Sequence, residues 1–132
     1  MKRKNNQITG NAGLFYLCYV LSKKGWNCLP TTRNAKGIDL LIYSVDAKMK
    51  YALQVKSLSK SSAVPFGTNP YLIADFLVVV RNVLDNNTEI FVLKRDEIKL
   101  TRREKDGGVS YWLKLKNYEN YKERWDLIGE GW

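Results

Sequence analysis

Apolar residues recur at two different spacings along the chain, and the change in spacing separates a helix from several strands. Between residues 9 and 24 the apolar positions follow the three-and-four spacing of an α-helix. Thr9 is expected to cap the start of this helix, and Gly25 is expected to follow its end. Shorter apolar runs predict β-strands at 26–31, 37–44, 49–57, 76–83 and 89–94. The second and third of these runs form a predicted β-hairpin.

The remaining segments carry weaker signals. The stretch SLSKSSAVPFGTN (57–69) is rich in Ser, Gly and Pro and predicts a loop, followed by a helical turn near PYLIA (70–74). A short helix is expected near Arg95, an edge strand over 110–116, and a closing helix over 117–128. The length fits one domain over residues 1–132. We therefore expect a single α/β domain with a central mixed β-sheet flanked by helices.

Three polar residues interrupt the predicted hairpin strands. GIDLLIYS carries Asp39, and MKYALQVKS carries Gln54 and Lys56. Burial of an unpaired charge costs several kcal/mol, so such residues are uncommon on apolar strands unless they are paired or bind something. A turn centred between Asp46 and Ala47 places Asp39 opposite Gln54, with Lys56 beside Gln54 on the same face. A slip of one residue would move Asp39 to the other face.

This cluster supports two interpretations. A carboxylate together with a carbonyl oxygen, from the Gln54 amide or from the adjacent backbone, can hold Mg²⁺. Lys56 would then act on a metal-bound water and on the charge that develops on a phosphate, which is the chemistry of phosphodiester hydrolysis. The structural alternative is a buried ion pair between Asp39 and Lys56 with a hydrogen-bonded Gln54.

The amino-acid composition limits the partners and the catalytic groups that the protein can use. The chain has 22 Lys plus Arg against 13 Asp plus Glu, a formal net charge of +9 that favours polyanionic partners. It contains no His, which excludes Ser-His-Asp triads and histidine metal ligands. Cys18 and Cys28 have no metal-binding spacing, which predicts a reducing cytoplasm, and no run is long enough to cross a membrane.

The helix 9–26, the turn RNAKG and the strands GIDLLIY and ALQVKS together resemble the core of the PD-(D/E)xK, or restriction-endonuclease-like, nuclease superfamily. The Gln-x-Lys form resembles Mrr-type nucleases and relatives of Holliday-junction resolvases. The likeness covers roughly the first half of the chain. It implies that Asp39 binds metal, that Gln54 stands where Glu or Asp is usual, and that Lys56 is catalytic.

The same resemblance implies a metal ligand near the start of the helix, where many members carry Glu and this chain has Asn11. The expected metal set is therefore Asp39, Gln54 and Asn11, with Mg²⁺ or Mn²⁺ as the ion. Arg33 and Lys36 flank the site and are candidate contacts to DNA phosphates. By analogy with the family, a homodimer would supply the two sites needed to cut both strands.

The sequence leaves three functions open. The first is a Mg²⁺-dependent DNA endonuclease. The second is a catalytically inactive nucleic-acid-binding module of the same fold, because two of the usual acidic ligands are amides here. The third is an interaction or immunity-type protein that uses the fold only as a scaffold, which the net positive charge favours least.

Overall fold

The computed structural model describes residues 5–32 and 37–132. Helix α1 (Asn6–Lys23) is the first element, and the side chain of Asn5 accepts two backbone N–H groups of its first turn at 3.0 and 3.1 Å. Asn5 is therefore the N-cap, and the prediction that Thr9 caps the helix is wrong: Thr9 is buried within α1. The predicted end is confirmed, because Gly25 follows the helix with a φ of 91°.

A five-stranded mixed sheet lies against α1. Its strands are β1 (Asn27–Pro30), β2 (Leu40–Tyr43), β3 (Lys50–Leu58), β5 (Phe76–Arg81) and β6 (Glu89–Lys94). They are arranged in the order β1-β2-β3-β5-β6, with β3 and β5 parallel and every other neighbouring pair antiparallel. The helix covers one face of the sheet, and this face encloses a core that includes Leu17, Leu21, Val78 and Val80.

A second, three-stranded sheet covers the other face, where the sequence predicts helices. Its strands are β4 (Val64–Gly67), β7 (Thr101–Lys105) and β8 (Gly108–Leu113), in the order β4-β8-β7. The prediction of an unbroken loop over 57–69 is therefore wrong, because Val64 is fully buried against Leu77 and Leu113 and fixes this segment as a strand. The expected helical turn over 70–74 is also absent from the described chain.

The closing segment is not a helix either. It forms three 3₁₀ turns, at Leu115–Asn117, Glu119–Tyr121 and Trp125–Leu127, and a further 3₁₀ turn at Arg95–Glu97 confirms the short helix expected there. Lys122 bridges to Phe91 on β6, and the N–H of Glu123 donates to the carbonyl of Ile90 at 2.9 Å. Glu123 also has a φ of 53°, which an α-helix does not permit. Docking on β6 thus overrides the helical spacing of the aromatic residues.

No helix in the described part of the chain is long and apolar enough to cross a membrane.

Candidate functional site

The β2–β3 hairpin has the predicted register, but regular pairing stops at Asp39. Leu40 lies opposite Leu53, and Ile42 lies opposite Tyr51. The N–H of Asp39 also donates to the carbonyl of Leu53, at 2.9 Å, although Leu53 already faces Leu40. Two residues on one strand therefore face one residue on the other, which is the arrangement of a β-bulge. A bulge turns the side chain at its first position away from the regular alternation.

Asp39 consequently lies on the α1 side of the sheet. It lines a cavity of about 270 Å³ together with Asn11 of the helix and Ser57 of β3. The preceding residue, Ile38, packs into the core on the opposite side, between the two sheets. The bulge therefore moves Asp39 to the other face of the sheet, as a slip of one residue in the register would do.

Gln54 and Lys56 occupy the other face of β3. Their partners on the parallel strand β5 are Leu77 and Val79, which belong to the core between the sheets. The expectation that Asp39 shares a face with Gln54 and Lys56 is therefore wrong, and its cause is the bulge. The pairing of Asn11 with Asp39 at one cavity agrees with the expected arrangement.

Lys56 is half-buried against an aromatic ring of the second sheet. Its Nζ lies 5.2 Å from the ring centroid of Phe66 on β4. Burial lowers the pKa of Lys56, and the negative charge of Asp39 opposes that shift. Asp39 and Lys56 thus interact electrostatically across β3 although they lie on opposite faces.

The carboxylate of Asp39 is held by the backbone of β3. Its Oδ2 accepts the N–H of Val55 at 2.7 Å. Because the N–H and C=O of one strand residue point to the same side, the carbonyl of Val55 also faces the edge at which Asp39 lies. We call this group the β3 edge site, defined by Asn11, Asp39, the backbone of Val55, and Lys56.

The oxygen donors of the β3 edge site suit a hard divalent cation. The Asp39 carboxylate, the Val55 carbonyl and the Asn11 amide supply oxygen ligands, which Mg²⁺ prefers, and Mg²⁺ keeps several of its waters. Across residues 5–32 and 37–132, no group of three or more His, Cys, Asp or Glu side chains is placed to hold a metal. These three oxygen donors therefore suit Mg²⁺, and Asp39 supplies their single carboxylate.

Two contacts of the site escaped the sequence analysis. Phe66 lies in the segment predicted as a loop, and its place over Lys56 follows from the pairing of β4 with β8. Ser57 approaches α1 so closely that a Cβ at Gly13 would overlap its Oγ. Gly13 within α1 is the sequence signal for this approach. Arg33 and Lys36 lie outside the described residues.

Comparisons with known proteins bear on the fold. No family model matches the sequence, and no curated protein matches it. Among solved structures the chain is similar to a bacterial homing endonuclease, I-Ssp6803I, with a TM-score of 0.64 and 20% sequence identity. The similarity covers 96% of this chain and 92% of that chain. It confirms the predicted α/β fold with a central mixed sheet.

Proposed function

We propose that the protein is a metal-dependent DNA endonuclease of the PD-(D/E)xK type, with the β3 edge site as its active site. One observation carries the proposal: the Asp39 carboxylate is held by the Val55 N–H at 2.7 Å, and its charge acts on the half-buried Lys56 across β3. The likeness in fold to a bacterial homing endonuclease supports the same function.

Lys56 would act on the scissile phosphate. A half-desolvated ammonium group stabilises negative charge more strongly than one in bulk water, because the local dielectric constant is lower. Burial also lowers the pKa of Lys56, which eases proton exchange with an attacking water. The ammonium of Lys56 also lies 5.2 Å from the ring centroid of Phe66, and a cation–π contact of this kind favours a fixed position for the charge.

Asp39, the Val55 carbonyl and Asn11 would hold Mg²⁺ or Mn²⁺. A bound ion of this kind polarises a phosphoryl oxygen and lowers the pKa of a bound water. Gln54 lies on the other face of β3 and, in this proposal, orients Lys56 or substrate instead of ligating the ion. Asp39 would orient the site through its bond to Val55 whether or not the ion is present.

DNA is the proposed substrate because the chain carries a net charge of +9. Arg33 and Lys36 follow Thr32, which lines the Asp39 cavity, so we propose that they bind phosphates next to the scissile bond. Cutting both strands of a duplex requires two active sites, which a homodimer of this chain would provide.

A binding-only function is the second candidate. It is favoured by the single carboxylate among the donors of the site, since the affinity of an oxygen site for a divalent cation depends on the number of charged ligands. Such a protein would bind DNA through the same basic surface and leave the phosphodiester bond intact.

A nuclease assay distinguishes the two candidates. The wild type and the Lys56→Ala variant would be incubated with linear, nicked, branched and single-stranded DNA in Mg²⁺ or Mn²⁺. The endonuclease proposal expects cleavage of at least one form by the wild type and a loss of roughly 100-fold or more in the variant. If the wild type binds these DNA forms and cuts none of them, the binding-only function replaces the enzyme.

A further inference from the structure

The β7–β8 hairpin continues beyond the sheet to which it belongs. Strand β4 pairs with β8 only from Leu113 to Tyr111. The next three cross-strand pairs join β7 and β8 alone, namely Arg103 with Ser110, Glu104 with Val109 and Lys105 with Gly108. We call residues 103–110 the distal ribbon. It is a two-stranded extension, and no third strand pairs with it among the residues that the structure describes.

The two faces of this hairpin differ in charge. Arg102 and Glu104 share one face and form an ion pair at 2.6 Å, so their charges cancel. Arg103 and Lys105 share the other face, on which Ser110 of β8 lies opposite Arg103. Both are exposed, and neither lies within ion-pair distance of an acidic group in the described part of the chain. The outer face thus presents two uncompensated cations.

The turn at the tip holds the distal ribbon in one shape. Asp106 and Gly107 both have positive φ, 52° and 76°, which is the conformation of a type I′ turn. This turn matches the twist of the flanking strands, and Asp-Gly is among the sequences that favour it most. The ribbon is therefore preorganised although it buries little apolar surface.

The distal ribbon continues from the strand pair that contacts Lys56. Strand β4 runs from the buried Val64 past Phe66, which contacts Lys56, to Gly67. Gly67 is paired with Tyr111, and β8 is antiparallel to β4. The residues of β8 that precede Tyr111 therefore continue outward from the position of Lys56. DNA that contacts Lys56 and extends in this direction would reach the ribbon.

We infer that the distal ribbon enters the major groove of duplex DNA held at the β3 edge site, with Arg103 and Lys105 contacting phosphates or base edges. This inference rests on the proposed function and narrows its substrate to B-form duplex DNA. Two strands about 4.8 Å apart fit a groove about 12 Å wide. The major groove of double-stranded RNA is deep and narrow and does not admit a ribbon.

The test measures binding, so its outcome does not depend on catalysis. Arg103→Gln with Lys105→Gln would be compared with Lys48→Gln and Lys50→Gln, a matched control that removes two exposed cations from the far end of the β2–β3 hairpin. The affinity for a DNA duplex would be measured across a range of salt concentrations. We expect the ribbon variant to lose roughly tenfold in affinity and up to about two units of salt slope, and the control to lose much less.

Groove competitors supply the second readout. Methyl green, which occupies the major groove, should displace the wild type more effectively than netropsin, which occupies the minor groove. A duplex RNA of the same sequence should bind more weakly than the DNA. Equal losses in the ribbon and control variants, or displacement by netropsin alone, would overturn the inference. A wild type that binds DNA through the ribbon but does not cleave it would overturn only the enzymatic proposal.

Discussion

The Arg81 cluster and the β3 edge site both contain partly buried charges, but only the Arg81 cluster pairs them with opposite charges at ion-pair distance. Arg81, at the end of β5, has only 9% of its surface exposed, and its Nε lies 2.9 Å from Glu89. Its guanidinium also bonds Glu119 at 3.3 Å and stacks 4.6 Å from the ring centroid of Phe91. Lys122 adds a second cation 2.9 Å from Glu89. Hydrogen bonds to Arg81 and Lys122 lower the pKa of Glu89 to about 2.

The β3 edge site lacks such compensation. Burial lowers the pKa of Lys56. Burial also opposes the charge of Arg81, but its hydrogen bonds to Glu89, Tyr118 and Glu119 outweigh burial and raise its pKa. Asp39 is held by a backbone N–H and influences Lys56 only through its field. Charges that are paired stabilise a fold, and charges left partly unpaired at a measurable expense in stability are typical of sites that bind or react. The difference supports the proposal that the β3 edge site is the functional site.

Asp75 provides an internal reference for Asp39. Its Oδ2 accepts the N–H of Ala52 at 2.8 Å, so both carboxylates hold the backbone of β3 from a neighbouring segment. Asp75 also has a cation, Arg95, at 3.6 Å. The two residues thus share a structural role and differ in their electrostatic surroundings.

The largest effect on stability is expected at the paired cluster. Arg81→Ala leaves Glu89 and Glu119 without their shared cation and removes the stacking on Phe91. Loss of one partner of a buried ionic cluster destabilises by roughly 3 to 5 kcal/mol. Urea unfolding of the variant and the wild type would measure this difference. A loss below about 1 kcal/mol would contradict the claim that the paired charges around Arg81 stabilise the fold.

A smaller effect is expected in metal binding. Asn11→Asp adds a carboxylate at the cavity that Asp39 lines, whereas Gln54→Glu adds one on the other face of β3. We expect Asn11→Asp to tighten Mg²⁺ binding by roughly tenfold, about 1.4 kcal/mol, and Gln54→Glu to change it little. Calorimetric titration with Mg²⁺ or Mn²⁺ would measure both. An equal gain in Mg²⁺ affinity in the two variants would contradict the claim that Asn11 and Gln54 lie on opposite faces of β3.

The smallest effect concerns the pH dependence of stability. The pKa of Lys56 in the folded protein lies below its ordinary value of 10.5, so the unfolded chain binds a proton more readily. Folding is therefore penalised at neutral pH, and the penalty disappears as the pH rises from the lowered pKa through 10.5. Lys56→Met should be more stable than the wild type at pH 7, on the order of 1 kcal/mol, with a smaller gap at pH 10. Denaturant unfolding at the two pH values would test this, and a constant gap would contradict it.

Much of the fold follows from the sequence because its signals are local. The body of α1, all five central strands and the register of the hairpin agree with the predicted spacing and turn position. The second sheet was missed because β4 is only four residues long and gains its stability from contacts with distant strands. The closing segment was misassigned because docking on β6 outweighs its helical periodicity.

The arrangement of the candidate site residues could not be predicted from the sequence. The alternation of side chains along a strand predicts that Asp39 and Gln54 share a face. The hydrogen bond from the Asp39 N–H to the Leu53 carbonyl reveals a bulge that moves Asp39 to the opposite face. A bulge of one residue leaves no mark in hydrophobic patterning, since Ile38 and Leu40 are both apolar and accept either face. The hydrogen bond between Asp39 and Val55 likewise depends on tertiary geometry.

The central claim is that the β3 edge site hydrolyses DNA, and a comparison of Asp39→Asn with Asp75→Asn tests it most directly. Both substitutions remove one negative charge and keep an oxygen that can accept the N–H of β3. The rate of duplex cleavage in Mg²⁺ would be measured for both variants at equal DNA occupancy. We predict a loss of roughly 100-fold or more for Asp39→Asn and a loss of less than about threefold for Asp75→Asn. Equal rates in the two variants would contradict the claim.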